Sequence, residues 1–454
     1  MDQTTANPRP RRGDELTVIV DSLAHGGAGV ARHEGYVLFV PDTVPGDRVR
    51  VSVGKSKRAY GEARVVELIE PSPDRIAPLA EHPGAPWQVM PYAMQLEVKA
   101  AQVQDALRRI GHLDGFELEP IVAAVQEWRY RNKLEYSFGS DASGRLVCGF
   151  HASGRWEEIV EVRDCLLASE AGNAAREQVV GWCCERGLTA YDRRTGEGFL
   201  RNLVVREGRR SGELQVRLVT APGTFDVESL AGAATLADSL LWTRQASVAE
   251  STTGGETELI TGSERFGERI GPLELEISAQ AFFQTNTEMA ERLYEIAVRY
   301  AELSPFDRVY DLYCGIGTIA LLMAPRAAEV WGLEIVAEAV ADAIAGARRN
   351  EIQNAHFYAG DVRLALRELV ERAGRPEVLV VDPPRAGLSQ KVVRRIIEAA
   401  PKRIVYVSCN PTTLAPNAAQ LVAAGYELVK VAPVDMFPQT PHIECVAQLV
   451  RRSG

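Results

Sequence analysis

Three short segments near the C-terminal end carry side chains able to make and break covalent bonds. The apolar run RIVYVS reads as a buried strand and ends in Ser408-Cys409-Asn410-Pro411, so Cys409 faces a crevice at a strand end rather than a packed core. A thiolate so placed is a nucleophile. Pro441-His442-Ile443-Glu444 opens a second apolar strand, ECVAQLV. Desolvation beside that strand raises the Glu444 carboxyl toward the range of a working base, whereas an exposed strand-end carboxylate would carry no such role. Asp382-Pro-Pro-Arg385 closes a third strand, EVLVV, and two prolines turn the chain outward stiffly with Arg385 close behind the acid. The cysteines Cys148, Cys183, Cys184, Cys314 and Cys445 read as small buried hydrophobes.

A ligand for these groups is indicated by Asp311-Leu-Tyr-Cys-Gly-Ile-Gly-Thr-Ile-Ala320, which ends a strand and opens a helix. Gly315, Gly317 and Ala320 fit the G-x-G-x-x-A pattern of nucleotide-binding turns, which a plain tight turn also produces. Glu334 closes the next strand, 17 residues past Gly317, where an acid hydrogen-bonds a ribose. A nicotinamide dinucleotide would satisfy these facts. Asp311 argues for another cofactor: a carboxylate at the mouth of the first strand faces a pyrophosphate badly but suits a cation such as S-adenosylmethionine. Asp361, closing the third strand in YAGD, meets the adenine edge or N-caps the following helix. A methyl donor, a thiol and a carboxylate base together specify a reaction. The C5 carbon of uracil is a poor nucleophile, but thiolate addition at C6 makes C5 an enolate carbon. C5 then takes the methyl group, a base removes the C5 proton, and the thiol leaves. The product would be 5-methyluridine.

Such groups need a scaffold that sets strand ends side by side. After Gln284 the chain alternates: a helix over 288–300, strand RVYDLYC, helix TIALLMA, strand EVWGLEI, helix AEAVADAIAGARRN, strands HFYAGDV and EVLVVDPP, helix KVVRRIIEAA and strand RIVYVSC. Apolar strands between helices predict a mainly parallel sheet covered on both faces. That is a doubly wound, Rossmann-like domain over 281–454 with ligands at strand carboxyl ends. Upstream, ELTVIVDSL, YVLFVP, DRVRVSV and ARVVELI are separated by glycine-rich turns and predict a small OB-like β-barrel over 13–70. Residues 1–12 read as a basic tail and 71–91 as a proline-rich linker. A helix over 92–110 and the strands KLEYSFG, LVCGFH, NLVVRE and LQVRLVT predict a central α+β domain over 92–280. The fold class expected is thus multidomain α/β.

The 454 residues are 46% apolar and 25% charged, with a net charge of -10, which excludes disordered, collagen-like and coiled-coil classes. No apolar run approaches the roughly 18 residues of a membrane span, and the first residues hold no apolar signal segment. A cytoplasmic protein with reduced thiols and no membrane contact is expected. The acidity argues against a general polyanion binder. Local basic clusters exist nonetheless: Lys55-Ser-Lys-Arg58, Arg129-Tyr-Arg-Asn-Lys133, and Arg206 with Arg209 and Arg210. Interleaved with Tyr60, Trp128, Tyr130 and Tyr136, they read as RNA-contacting patches or as solvated strand edges.

DLYCGIGTIAL, VVDPPRAGL, VSCNPTTLAPN and HIECVAQL, in this order, resemble the motifs of the RNA uracil-5 methyltransferases, which form 5-methyluridine in 23S ribosomal RNA and transfer RNA. FFQTN, Phe282 to Asn286, is similar to the segment entering their catalytic domain. GGAGVARHEGYVLFVPDTVPGDRVRV is similar to a TRAM domain, an RNA-binding β-barrel, and WRYRNKLEYSFG with a later GFH resembles the family's central RNA-contacting domain. This resemblance, over about residues 14–450, implies Cys409 as nucleophile and Glu444 as general base. It implies S-adenosylmethionine contacts from Gln284, Tyr313, Thr318, Glu334, Asp361 and Asp382, with Thr318 standing where the family often carries an amide. The implied partner is RNA, 23S ribosomal RNA being favoured for the TRAM-like barrel and the transfer-RNA T-loop standing as the alternative; a monomer is expected. Many ribosomal-RNA members hold an iron–sulfur cluster on four cysteines. Here no cysteine precedes Cys148 and only Cys165 matches a ligand position, so no cluster and no other metal is expected. Two further readings compete. An amino-methyltransferase would carry an aromatic residue where Arg385 stands and leave the thiol idle. A non-catalytic RNA-binding or ribosome-assembly factor would predict loss of Cys409 or Glu444, and both are present.

Overall fold

Alternation of inward valines with outward charges closes the first strands into a barrel. In the computed structural model, which describes residues 9–452, β1 (Glu15–Leu23), β2 (Gly29–His33), β3 (Tyr36–Val40), β4 (Arg48–Ser56) and β5 (Tyr60–Glu70) close in the order β1-β2-β3-β5-β4. Val18, Val20, Leu38, Val49, Val51 and Val53 fill the interior at the two-residue period of a strand. Of the expected basic tail, residues 1–8 lie outside the described residues. The rest is docked: Ser56 Oγ donates to Pro10 O at 2.6 Å and Gly13 N to Val53 O at 2.8 Å. The stretch 71–91 is likewise no slack linker. Its Trp87 and Met90 are buried against Leu23 and Val44, and burying a methionine alone contributes roughly 1.5–3 kcal/mol. Proline content signalled a break in regular structure correctly, but not whether the broken segment packs.

The chain continues through α1 (Tyr92–Asp105), which runs into a π-turn at Ala106–Ile110, and β6 (Glu117–Leu118). The central domain follows, with β7 (Lys133–Ser140), β8 (Leu146–Ala152), β9 (Arg155–Glu161), α2 (Glu170–Glu185), β10 (Leu200–Glu207), β11 (Leu214–Thr220), α3 (Val227–Ala233), β12 (Ser239–Arg244) and β13 (Glu256–Thr261). Its sheet has the order β13-β12-β11-β10-β7-β8-β9. Val179 and Trp182 of α2 and Leu230 of α3 cover Leu203, Val205 and Val216 on one face. A hairpin of β14 (Arg265–Ile270) and β15 (Leu273–Ser278) leads to the last domain.

That domain runs α4 (Thr287–Ala301), β16 (Arg308–Leu312), α5 (Thr318–Met323), β17 (Glu329–Glu334), α6 (Ala337–Arg349), β18 (Ala355–Ala359), α7 (Val362–Ala373), β19 (Val378–Val381), α8 (Gln390–Ala399), β20 (Arg403–Ser408), α9 (Pro411–Ala423), β21 (Tyr426–Val434) and β22 (Glu444–Arg451). The sheet order is β18-β17-β16-β19-β20-β22-β21-β6, with β22 antiparallel to both its neighbours. Val378, Val380, Val405 and Val407 enter the core on one face, and Leu379, Val381, Ile404 and Tyr406 the core on the other. Both faces are covered, which is why these strands read as unbroken apolar runs.

One allocation differs from expectation. Residues 92–118, read with the central domain, join the C-terminal sheet: Val103, Leu107 and Leu113 share a core with Leu414 and Leu421, and β6 pairs with β21. Phe266, Leu275 and Ile277 of the β14–β15 hairpin also pack in a core with α4. Periodicity tells which face of an element is apolar, not which sheet it meets. Among the described residues no helix is long and apolar enough to cross a membrane.

Candidate active site

The sheet register sets two reactive groups side by side. β20 and β22 pair antiparallel from Arg403↔Val450 to Ser408↔Cys445, so one further step puts Cys409 opposite Glu444. Directly opposed residues carry their Cβ atoms about 4.5–5.5 Å apart. Cys409 escapes the strand because Asn410 starts α9: its side chain accepts from Thr412 N at 3.0 Å, and Pro411 takes the first helical position. Asp382 leaves β19, and Asp311 lies in β16, the next strands across the sheet.

These ends surround a cavity of about 880 Å3 lined by Gln284, Tyr313, Thr318, Glu334 and Asp382 together with Cys409 and Glu444. Asp361 is not among its walls. That carboxylate caps α7, accepting from Arg363 N at 2.8 Å and pairing with the Arg363 guanidinium. The N-cap reading of Asp361 therefore holds, and it does not exclude the expected adenine contact. Residues not predicted as site residues also line the cavity, among them Tyr294 of α4, Phe282, Phe437 and His442. Tyr294 has no local signal beyond its place on the buried face of a helix.

The glycine turn is built for close approach. Gly317 has φ +78°, and a Cβ there would fall 2.7 Å from the Phe357 ring and 2.9 Å from Ala343 Cβ. Glu334 is locked: one oxygen accepts from Gly315 N at 3.1 Å, the other from Ile335 N at 2.7 Å and Val336 N at 2.9 Å. Asp311 accepts from Ala320 N at 3.1 Å, tying the first strand to the first turn of α5.

Two buried carboxyls, Asp311 and Glu444, meet the half-buried Asp382 here. Burial holds Asp382 up at about 7. Burial and the neighbouring Asp382 push both Asp311 and Glu444 well above the usual carboxylate range. The Cys409 thiol is pushed up to about 12 by burial and by Glu444 and Asp382, with Arg385 pulling it down. Asp311 Oδ1 and Glu444 Oε2 are buried without a hydrogen-bond partner. An acid-lined cavity with two orphaned carboxylate oxygens rejects a pyrophosphate and fits a cationic ligand. The residues present thus fit S-adenosylmethionine.

Arg385 Nη2 donates to His442 Nδ1 at 2.8 Å, which requires a neutral imidazole; burial and Arg385 hold His442 down to about 4. The loop carrying His442 is bolted to the rest of the chain. Lys99 and Asp435, both fully buried, pair at 2.6 Å, and Lys99 Nζ also donates to Phe437 O at 3.0 Å. Gln95 Nε2 donates to Gln439 Oε1 at 2.8 Å, Tyr130 OH to Pro438 O at 3.0 Å, and Asn286 Nδ2 to Met436 O at 3.0 Å. The barrel reaches the same loop. Gly27, between β1 and β2, has φ +92°, and a Cβ there would lie 2.9 Å from Pro441 Cβ. His25 beside it is held below its ordinary value by burial and by Arg385.

Much of the basic sequence is structural. Arg129 makes two bonds to Asp164, at 3.0 and 2.9 Å, and Tyr130 and Tyr136 are buried. Asn132 donates to Gln284 O at 2.8 Å, and Arg206, fully buried, to Ser278 O at 3.2 Å and Ala281 O at 2.5 Å. Asn132 and Arg206 thus serve the segment that delivers Gln284 to the cavity, while Arg129 and Arg210 stay partly exposed. The barrel cluster stays at the surface, with Lys57 Nζ 5.0 Å from the Tyr60 ring centroid. Cys165 is buried with Sγ 3.3 Å from His82 Nε2. One cysteine and one histidine are too few for a cluster that needs about four ligands. Among the described residues no group of three or more His, Cys, Asp or Glu is placed to hold a metal ion.

The strand order, the glycine turn and a cavity suited to a sulfonium put the C-terminal domain among the S-adenosylmethionine-dependent methyltransferases. Residues 272–452 match the tRNA (uracil-5-)-methyltransferase family, and residues 9–66 match the TRAM domain. The chain belongs to the RNA (uracil-5-)-methyltransferase family, with an N-terminal TRAM domain and S-adenosylmethionine as cofactor. It is 38% identical to an uncharacterized RNA methyltransferase of Halalkalibacterium halodurans, over 96% of this chain and 97% of that one. A Bacteroides thetaiotaomicron RNA methyltransferase is 37% identical, over 95% and 100%. Among solved structures, the Pyrococcus abyssi tRNA (uracil-54, C5)-methyltransferase in complex with S-adenosyl-L-homocysteine superposes with a TM-score of 0.77 at 28% identity, covering 96% of this chain and all of that one.

Proposed function

We propose that the protein methylates C5 of a uridine in transfer RNA through a transient bond between Cys409 and C6 of the base. The observation that carries this reading is the register of Cys409 with Glu444 at the edge of an acid-lined cavity. S-adenosylmethionine, when bound, supplies an electrophilic methyl group. Cys409 adds to C6 as thiolate, and Arg385 favours that form. Once C5 carries its methyl group, Glu444 takes the C5 proton, a task that its raised proton affinity suits, and Cys409 departs as thiolate. Asp311 and Asp382 hold the cation, Glu334 the ribose, and Gln284, Tyr313 and Thr318 the remaining walls.

The choice of transfer RNA rests on the Pyrococcus abyssi enzyme. The 4% of this chain outside that superposition is too short to contain the barrel, so a barrel accompanies a transfer-RNA substrate there and does not speak for ribosomal RNA. The target uridine has to leave its stack, which costs about a few kcal/mol and least in a loop. With RNA tritiated at uridine C5, Cys409→Ala abolishes tritium release while S-adenosylmethionine still binds, and Glu444→Gln accumulates a protein–RNA adduct. Methylation by Cys409→Ala refutes the mechanism. Mapping 5-methyluridine in cells lacking the protein separates the substrates: loss from ribosomal RNA alone refutes the transfer-RNA assignment.

A further inference from the structure

A second cavity, of about 230 Å3, opens in the central domain. One wall is Trp156, an indole left 56% exposed, with the Arg193 guanidinium 5.8 Å from its ring centroid. Tyr191 lines the cavity too, with the Arg201 guanidinium 4.9 Å from its ring centroid. Arg201 is not free to move: its guanidinium donates to the carbonyls of Gln245 at 2.9 Å, Ser247 at 2.5 Å and Ala249 at 2.6 Å. Inside lies Asn202, 4% exposed, whose Nδ2 donates to Ser137 Oγ at 3.2 Å. The charges around it are already matched, Glu250 being paired with both His151 and Arg193. A cavity lined by two aromatic rings, the Asn202 amide and side chains of both charges suits a planar ligand that carries its own hydrogen-bonding groups. That describes a nucleobase.

Its place in the fold agrees. The segment that Arg201 holds runs on through Glu250, which lines this cavity, to Thr253, which lines the catalytic one. Three residues span at most about 11 Å. The two cavities are thus joined by a short stretch of chain, and extruding one base leaves its neighbours in the RNA partly unstacked and open to a second partner.

We infer that this cavity receives a second base of the substrate RNA, stacked on the exposed Trp156 indole with Tyr191 as a further wall, and so helps to select which uridine enters the catalytic cavity. This rests on the RNA-uridine reading above. The test uses the full chain with a transfer-RNA transcript as the probe. Trp156→Ala, at an exposed position, and Tyr191→Leu are expected to raise the RNA KM by about 5- to 150-fold, the loss of one stacked base. The kcat at saturating RNA and the affinity for S-adenosylmethionine stay at their wild-type values, and Trp156→Phe restores most of the KM. With 4-thiouridine in the RNA, irradiation of the wild-type protein yields crosslinks to the peptides holding Trp156 and Tyr191. An unchanged KM in Trp156→Ala, or crosslinks confined to the barrel and the catalytic domain, overturns the inference. If the wild-type protein methylates no uridine at all, the reading of function has failed, which is a different result.

Discussion

The reactivity of Cys409 should report the charge of whatever occupies the acid-lined part of the cavity. A space of about 880 Å3, taken as a sphere, has a radius of roughly 6 Å, so a sulfonium near its centre lies about that far from the thiol. At an effective dielectric of about 20 the attraction between that cation and a thiolate is about 3 kcal/mol. It would draw the thiol from about 12 to about 10. At pH 8 the thiolate fraction then rises about 100-fold. The lower intrinsic nucleophilicity of a more acidic thiol takes back nearly tenfold, leaving a net acceleration on the order of 10-fold. S-adenosylmethionine and S-adenosylhomocysteine differ by one methyl group and one charge, so the pair isolates the field from the shape. Alkylation by iodoacetamide, followed at the Cys409 peptide by mass spectrometry to separate it from the other six cysteines, should run about tenfold faster with the former. Equal rates would refute the electrostatic reasoning, because the cation would then not be felt at the sulfur.

Other outcomes follow from the contacts around the site. Lys99→Met leaves Asp435 fully buried without its cation and is expected to cost about 3–5 kcal/mol; urea melts measure this, and adding Asp435→Asn should recover part of it. His82 and His442 are held neutral at about 4 in the folded chain but take up protons near 6.5 when unfolded. Stability should therefore fall as pH drops from 6.5 to 4, by up to about 1.4 kcal/mol per pH unit for each; His82→Gln with His442→Asn should flatten the profile, and an unaltered slope would contradict the assignment. Gly27→Ala forces a side chain into a left-handed turn 2.9 Å from Pro441, at about 1–2 kcal/mol. It should raise the RNA KM while leaving S-adenosylmethionine binding intact, as measured by calorimetry.

The catalytic half was legible because its chemistry sits at strand ends. A buried parallel strand is an apolar run, and the polar residue that interrupts it marks the crevice, which is how Cys409, Asp382 and Glu334 stand out. Glu444 was legible for the mirror-image reason, as the first residue of a strand running the other way. Asp361 was legible as the N-cap of α7, a role that a contact to adenine from the same carboxylate does not exclude. The basic clusters were less legible because charge density says nothing of burial: Arg206 and Arg210 are neighbours in sequence, yet the first is fully buried on backbone carbonyls and the second pairs with Glu291 at 2.7 Å nearer the surface. Lys99 and Asp435 are 336 residues apart, and no local pattern announces that they meet. Pairing across such a span also drew residues 92–118 away from the domain to which their order in the chain had allotted them.

The antiparallel insertion of β22 between β20 and β21 has a wider meaning. The spacing of thiol and carboxylate is set by ladder hydrogen bonds, and slipping by one residue would turn Glu444 to the opposite face. The loop before it answers to different partners: the barrel, α1 and the central domain. The two sets of fastenings meet at one point, where His442 of that loop accepts from Arg385, the group that lowers the Cys409 thiol. A displacement of Pro441 by the barrel would therefore reach the reaction through this contact, while the ladder keeps thiol and carboxylate in register.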